Sequence, residues 1–446
     1  MKDKTFIKYF IGLAIPVVIQ QLLVNLLAIT DTIMVGAISE NAISATTVAN
    51  KFFLIYNLAI FGLTNGIGLF ISQFFGACDK ENCNKTLRFG LLCVIGLSII
   101  GTGILILFPN FVIEIFVKDE DIIQLALQYN NIVRFSYLPY GIAQMMGIAN
   151  RSKGNTLFPL YTGFVSFVSN IFLNYILIFG KLGCPELGIQ GAALATSLSR
   201  FIEMAILLLA SFKKEDYYCF FNRYGTLSKE NRKEILSKTI PLIFNETIWS
   251  LSLSLIFMNY CYVSEQYVPS LTVVDQVGSL SYVVFAGFSS AVGVVIGNTL
   301  GSNQLEEAKK LAKLMIKIGL MINIIMAVLV SLFSHVIPKA YFLTKESTTL
   351  ATQLILIKCA VMWTQGYSET IYYILRAGGD TKSVFFIDGF FMTCGPLLMS
   401  TIFSRLIPLD LLYVFTITEG ICVLKIFVST FFYKKGTWIK NLTVEI

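Results

Sequence analysis

The chain has 446 residues, of which 55% are hydrophobic and only 14% charged, with a mean hydropathy of +0.72. That balance excludes a soluble globular domain of this size and places the chain among multi-pass membrane proteins. The formal charge of +7 is carried by short loops rather than by a basic patch, so it does not mark a nucleic-acid binder.

A membrane-spanning helix needs about 20 mostly apolar residues. Windows of that kind predict twelve spans, at residues 10–35, 45–75, 88–112, 122–149, 156–180, 189–211, 239–262, 269–300, 316–337, 348–375, 383–404 and 410–432. The first resembles a signal peptide but carries Pro16, Gln20 and Gln21 and is not followed by a small-residue cleavage site, so it reads as a span. Lys and Arg number 24 in one set of alternate loops and 5 in the other, which predicts both termini in the cytoplasm and an even span count. Nine cysteines are scattered singly without metal-ligand spacing and read as free thiols.

An internal repeat runs at one constant offset of 225 residues, pairing Pro16 with Pro241, Gly62 with Gly287, Gly68 with Gly293, Gly76 with Gly301, Lys85 with Lys310, Arg151 with Arg376, Gly154 with Gly379 and Thr156 with Thr381. Six spans per repeat is an even number, so the halves share one orientation, as in transporters built from parallel repeats. The expected fold is an all-α integral membrane protein with twelve transmembrane helices in two pseudo-symmetric six-helix lobes. Residues 1–210 form the N-terminal lobe, 211–238 a cytoplasmic linker, and 239–446 the C-terminal lobe with a short tail. The motifs beginning at Arg151 and Arg376 fall in the loops after spans four and ten, where glycine suits a tight turn.

The polar residues inside spans are the functional candidates. Asp31 is the only charged side chain between Tyr9 and Ser39, and a charge at mid-membrane costs about 2.5–3.5 kcal/mol on insertion scales. Protonation or a bound cation would compensate it. Asn170 and Asn174 lie one turn apart on one face of span five, and Thr196 follows in span six. Asparagine supplies a neutral oxygen to a cation or a hydrogen bond to a carboxyl group. In the second half Glu246 follows Pro241 and Asn245, about 12 Å into span seven at about 1.5 Å per residue. Asp275 and Glu369 are further acids with a possible substrate or ion role, Asp388 lies near a span end, and Glu203 sits three residues from Arg200, close enough for mutual neutralisation. Lys51, Arg134, Lys358, Glu419 and Lys425 have no assignment. One histidine and no acid–histidine spacing argue against an enzyme.

With these residues in view, the chain resembles the multidrug and toxic compound extrusion (MATE) family. The resemblance rests on Asp31-Thr-Ile-Met-Val-Gly36, on Asn174-Tyr-Ile-Leu-Ile-Phe-Gly180 followed by the Leu187 to Thr196 run, and on the paired Arg-x-x-Gly-x-Thr motifs. It implies an antiporter that exports small organic, cationic or aromatic drugs in exchange for sodium ions or protons, as a monomer of the cytoplasmic membrane, with no cofactor beyond the coupling ion. It also implies cation or proton coupling at Asp31, which would be the metal ligand if sodium is used, with Asn170, Asn174 and Thr196 beside it. The sequence departs from archaeal members at Asn174, where they carry Asp. In the second half Glu246 matches an acid-bearing helix of NorM-like members, whereas Gln365, not Glu369, stands where their span-ten acid falls. The alternative is a flippase for a lipid-linked or polysaccharide precursor, whose cavity would be rich in bases. Here seven intramembrane acids face five bases.

Overall fold

The computed structural model describes residues 3–211, 225–341, 344–407 and 409–444. Of the linker expected at 211–238, residues 212–224 lie outside those described, and from Lys229 onward the chain is already helical. The described residues are almost wholly helical. They divide into two compact units, Met1–Thr239 and Ile240–Ile446.

In the first unit, α1 (Asp3–Gly36), α2 (Glu40–Gly76) and α3 (Lys80–Leu107) are followed by the short α4 (Pro109–Glu114), α5 (Glu120–Val133), α6 (Tyr137–Ser152), α7 (Leu157–Phe179) and α8 (Gly188–Ala210). Their ends carry ordinary signals. Ser39 caps α2 through Ala42 N–H, Asp79 caps α3 through Asn82 N–H, and α7 stops at Gly180, whose φ of +62° suits a residue without Cβ. The span expected at 122–149 is two helices, α5 and α6, joined by a 3-10 turn at Arg134–Ser136. Pro139 has no N–H to donate one turn back, so the α-helical ladder is interrupted there.

The second unit holds most of α9 (Lys229–Val263), then α10 (Val268–Gly301), α11 (Leu305–Phe333), α12 (Lys345–Ala377), α13 (Thr381–Phe385), α14 (Leu398–Thr401), α15 (Leu411–Ile421) and α16 (Lys425–Lys435). α13 and α14 belong to one helical stretch, Thr381–Leu406, widened by π turns at Phe386–Phe390, Thr393–Leu397 and Ile402–Leu406. Pro396 removes one backbone donor within the second turn.

Ten described helical segments are long and apolar enough to cross a bilayer. The other two of the twelve are the broken α5–α6 segment and α12, which carries Lys358, Glu369 and Arg376 inside its length. Large apolar side chains such as Ile29, Ile33, Leu92 and Phe427 are exposed on helix faces, as expected where the solvent is lipid. The first unit packs small residues: Ala42, Ala45, Ala49, Ala126, Ala192 and Ala193 form one cluster with Val35 and Ile178. In lipid such residues bring helices close enough for van der Waals contact and hydrogen bonds to hold them.

Gly191 shows how tight this packing is. A Cβ placed there would sit 2.5 Å from the main-chain oxygen of Leu177 on the neighbouring α7, and backbone cannot move aside as a side chain can. Gly191→Val should therefore destabilise the protein by about 1–3 kcal/mol, whereas Gly96→Ala, where nothing lies within 4 Å, should change stability by less than about 0.5 kcal/mol. Unfolding of the purified variants in mixed micelles checks both.

Candidate functional site

α1 seats on α7 through three polar contacts spaced along its length. Near its start Thr156 Oγ1 donates to the Gly12 carbonyl at 3.3 Å, and two turns further Gln20 Nε2 donates to the Pro159 carbonyl at 3.4 Å. Near its end Asn174 Nδ2 donates to Asp31 Oδ1 at 2.6 Å. Arg151, at the last turn of α6 rather than in a loop, donates to Gln20 Oε1 at 3.1 Å. The face of α1 that carries Asp31 therefore points at α7 while Ile29 and Ile33 point away.

Behind Asp31 the contact continues as a chain. Asn174 Nδ2 also donates to Asn170 Oδ1 at 3.0 Å, and Asn170 Nδ2 to Thr196 Oγ1 at 3.5 Å. Asn170 and Asn174 are fully buried. The Oδ1 of Asn174 is buried and accepts no hydrogen bond, an oxygen left unsatisfied beside a carboxylate. Among the described residues no Lys or Arg forms an ion pair with Asp31. Arg200, which faces it at longer range, is engaged with Glu203 at 3.1 Å and lies over the Tyr140 ring at 5.0 Å. The structure thus brings together all four residues singled out in the first half. They form a hydrogen-bonded chain of one carboxylate, two amides and a hydroxyl, whose oxygens are of the kind that suits a hard monovalent cation and whose carboxylate can take a proton.

The second half is arranged differently: apart from Asp275, its intramembrane acids meet bases that come from other helices. Arg376, buried in the last turn of α12 rather than in a loop, pairs with Glu246 at 3.2 Å. Tyr372, one turn before Arg376, donates to Glu246 at 3.1 Å and accepts from Asn245 Nδ2 at 3.1 Å. The same Asn245 nitrogen lies 3.3 Å from Asp388 Oδ2, and Asn245 Oδ1 accepts the Gly389 N–H at 2.9 Å. Lys425 of α16 then lies between Asp388 at 2.9 Å and Glu369 at 2.7 Å. Glu246 and Glu369 thus belong to one buried network. Asp275 does not: it is exposed on α10, and Lys358, which feels its charge, pairs with Glu419 at 3.3 Å.

Asn245, Tyr372, Asp388 and Lys425 were not singled out from the sequence as parts of a site. A partial signal was available, since Glu369, Tyr372 and Arg376 recur at helical spacing on one face of α12. Nothing local marks Lys425 or Asp388 as partners, 37 residues apart on different helices.

A helical membrane protein built as a sequence repeat, with buried polar clusters in each half, has the character of a multi-pass transporter. The MatE family profile matches residues 16–176 and again 241–399, two matches that begin 225 residues apart, at the offset of the repeat. The chain belongs to the MatE family. It is 25% identical over 383 residues to the probable multidrug resistance protein NorM of Haemophilus ducreyi, covering 85% of this chain and 82% of the relative. It is 24% identical over 440 residues to the NorM protein of Thermotoga maritima, covering 97% and 93%. Among solved structures, a MATE protein crystallised in a bent conformation superposes with a TM-score of 0.89 at 19% identity, over 96% of this chain and 95% of the other. An outward-facing multidrug resistance MATE transporter superposes with a TM-score of 0.84 at 19% identity, over 96% and 94%.

Breaking the Glu246–Arg376 pair from one side would strand a buried charge. Arg376→Met should cost about 3–5 kcal/mol of stability. The double replacement of Arg376 and Glu246 by Met should recover most of that loss, as read from unfolding of the purified proteins.

Proposed function

We propose that the protein is a secondary active antiporter that exports small organic, cationic or aromatic drugs across the cell membrane in exchange for sodium ions or protons. The family and the multidrug resistance relatives support drug export over a lipid-precursor flippase. Acids outnumber bases inside the spans, which suits a cationic substrate. The loop distribution of Lys and Arg supports cytoplasmic termini, and we propose a monomer as the working unit.

The observation that carries the coupling assignment is the bond between Asp31 and Asn174. Asp31 is the one acid singled out for coupling that meets a neutral amide and no base, so its charge state is open to a proton or a cation. Its hydrogen bond is also one of the three polar contacts between α1 and the α7 segment. Neutralising or coordinating the carboxylate changes that contact, and a ligand that binds one seat of α1 better than another shifts the population between them. Sodium would draw on Asp31, the unsatisfied Asn174 Oδ1, Asn170 Oδ1 and Thr196 Oγ1. A proton would need Asp31 alone. Alternating access follows if the two seats of α1 expose the substrate path to opposite sides.

In proteoliposomes loaded with a fluorescent cationic drug, Asp31→Asn should abolish efflux driven by an imposed ion gradient while leaving the protein inserted and folded. Driving the wild type separately with sodium and with proton gradients names the coupling ion. Full gradient-driven efflux by the variant would refute the assignment.

A further inference from the structure

Lys425 is the least expected residue in the second unit. An ammonium group on a helix that spans a membrane is costly, yet this one is buried and rests on two carboxylates from different helices, Glu369 Oε1 at 2.7 Å and Asp388 Oδ1 at 2.9 Å. One of the two acids is held in place by a second partner. Asp388 sits in the π turn Phe386–Phe390, and its other oxygen faces Asn245 Nδ2 at 3.3 Å. Asn245 is itself held by the Gly389 N–H and by Tyr372. A single extra residue in a helical turn re-aims the side chains around it, which is how such turns recur at functional positions. Lys425 begins α16 directly after a 3-10 turn at Cys422–Leu424, so the lysine and Asp388 both sit at irregular helical turns while Glu369 comes from the regular α12.

The surrounding charges show what the ammonium does. Glu246 is matched by Arg376, which leaves Glu369 and Asp388 facing each other's field with Lys425 as the one cation between them. Two buried carboxylates converge on one cation, and without the ammonium they would face each other unneutralised.

We propose that Lys425 is a tethered cation filling a monovalent-cation site of the C-terminal unit, so that this unit carries its counter-charge covalently and binds no free ion there. Removing the amine would expose the site to sodium or potassium. The inference stands on the geometry of this unit and not on coupling at Asp31.

The test is cation-dependent stabilisation of the full-length protein in nanodiscs, measured in potassium, sodium or choline chloride. It is run on the Asp31→Asn background, so that an ion at the first-unit site contributes nothing whether or not the coupling assignment is right. Asp31→Asn alone should respond equally to the three salts. Asp31→Asn with Lys425→Met should gain a saturable stabilisation by potassium or sodium over choline. That gain is about a tenfold shift in the folded-to-unfolded ratio when the ion is at about ten times its dissociation constant. Adding Glu369→Gln or Asp388→Asn should remove it. A folded Lys425→Met protein that responds equally to the three salts overturns the proposal, as does a gain that survives loss of both carboxylates. If Lys425→Met fails to insert, the charge-balanced Lys425→Met/Glu369→Gln pair and the charge-retaining Lys425→Arg decide the matter. Insertion of both supports a counter-charge role, and failure of the balanced pair overturns it, because the shape of the lysine and not its charge would then be what the fold requires.

Discussion

A charge inside a bilayer has to be answered by something within a few ångströms, and apart from Glu203, which pairs with Arg200 on its own helix, the buried acids of the two halves answer it in opposite ways. In the first, Asp31 meets an amide, which satisfies the carboxylate without cancelling its charge. In the second, Glu246, Glu369, Asp388 and Glu419 meet Arg376, Lys425 and Lys358 directly. A buried pair is insensitive to ions in solution because its counter-charge is covalently attached. A carboxylate held by a neutral amide stays open to whatever cation reaches it. This asymmetry, laid over a repeat that otherwise holds one register, is the physical basis for assigning coupling to the first half.

The same contrast bears on which helices are free to move. α1 is held to α7 by single hydrogen bonds to backbone and amide groups, and its outer face is apolar and lipid-exposed. Because lipid is as apolar as the helix surface, the seat of α1 rests on van der Waals packing of buried side chains such as Phe10, Leu13 and Val35 together with those few polar contacts. Around α12 the situation is reversed. Helices α9, α12 and α16 and the π turn at Phe386–Phe390 converge on charge-assisted contacts, each stronger than a neutral hydrogen bond.

Much of the architecture was legible beforehand because membrane insertion writes itself into composition. Apolar length, loop charge and the 225-residue repeat are each set by the bilayer or by duplication, and each reads in one dimension. Legibility failed where a local interruption decided the backbone. Pro139 turned one expected span into α5 and α6, and three π turns widened Thr381–Leu406, because backbone hydrogen-bond register is chosen by packing as well as by propensity.

Asp31, Asn170, Asn174 and Thr196 could be named from the sequence because an unaccompanied acid and a same-face amide pair are unusual inside apolar helices. That they touch was settled by the packing of α1, α7 and α8, across 143 residues of separation. In the second half the sequence established only that several acids and bases share the membrane. Which acid meets which base is a matter of helix rotation and neighbourhood. Only the tertiary structure could place Arg376 on Glu246 and Lys425 between Glu369 and Asp388, because electrostatic partnership depends on distance in space and leaves no periodic trace along the chain.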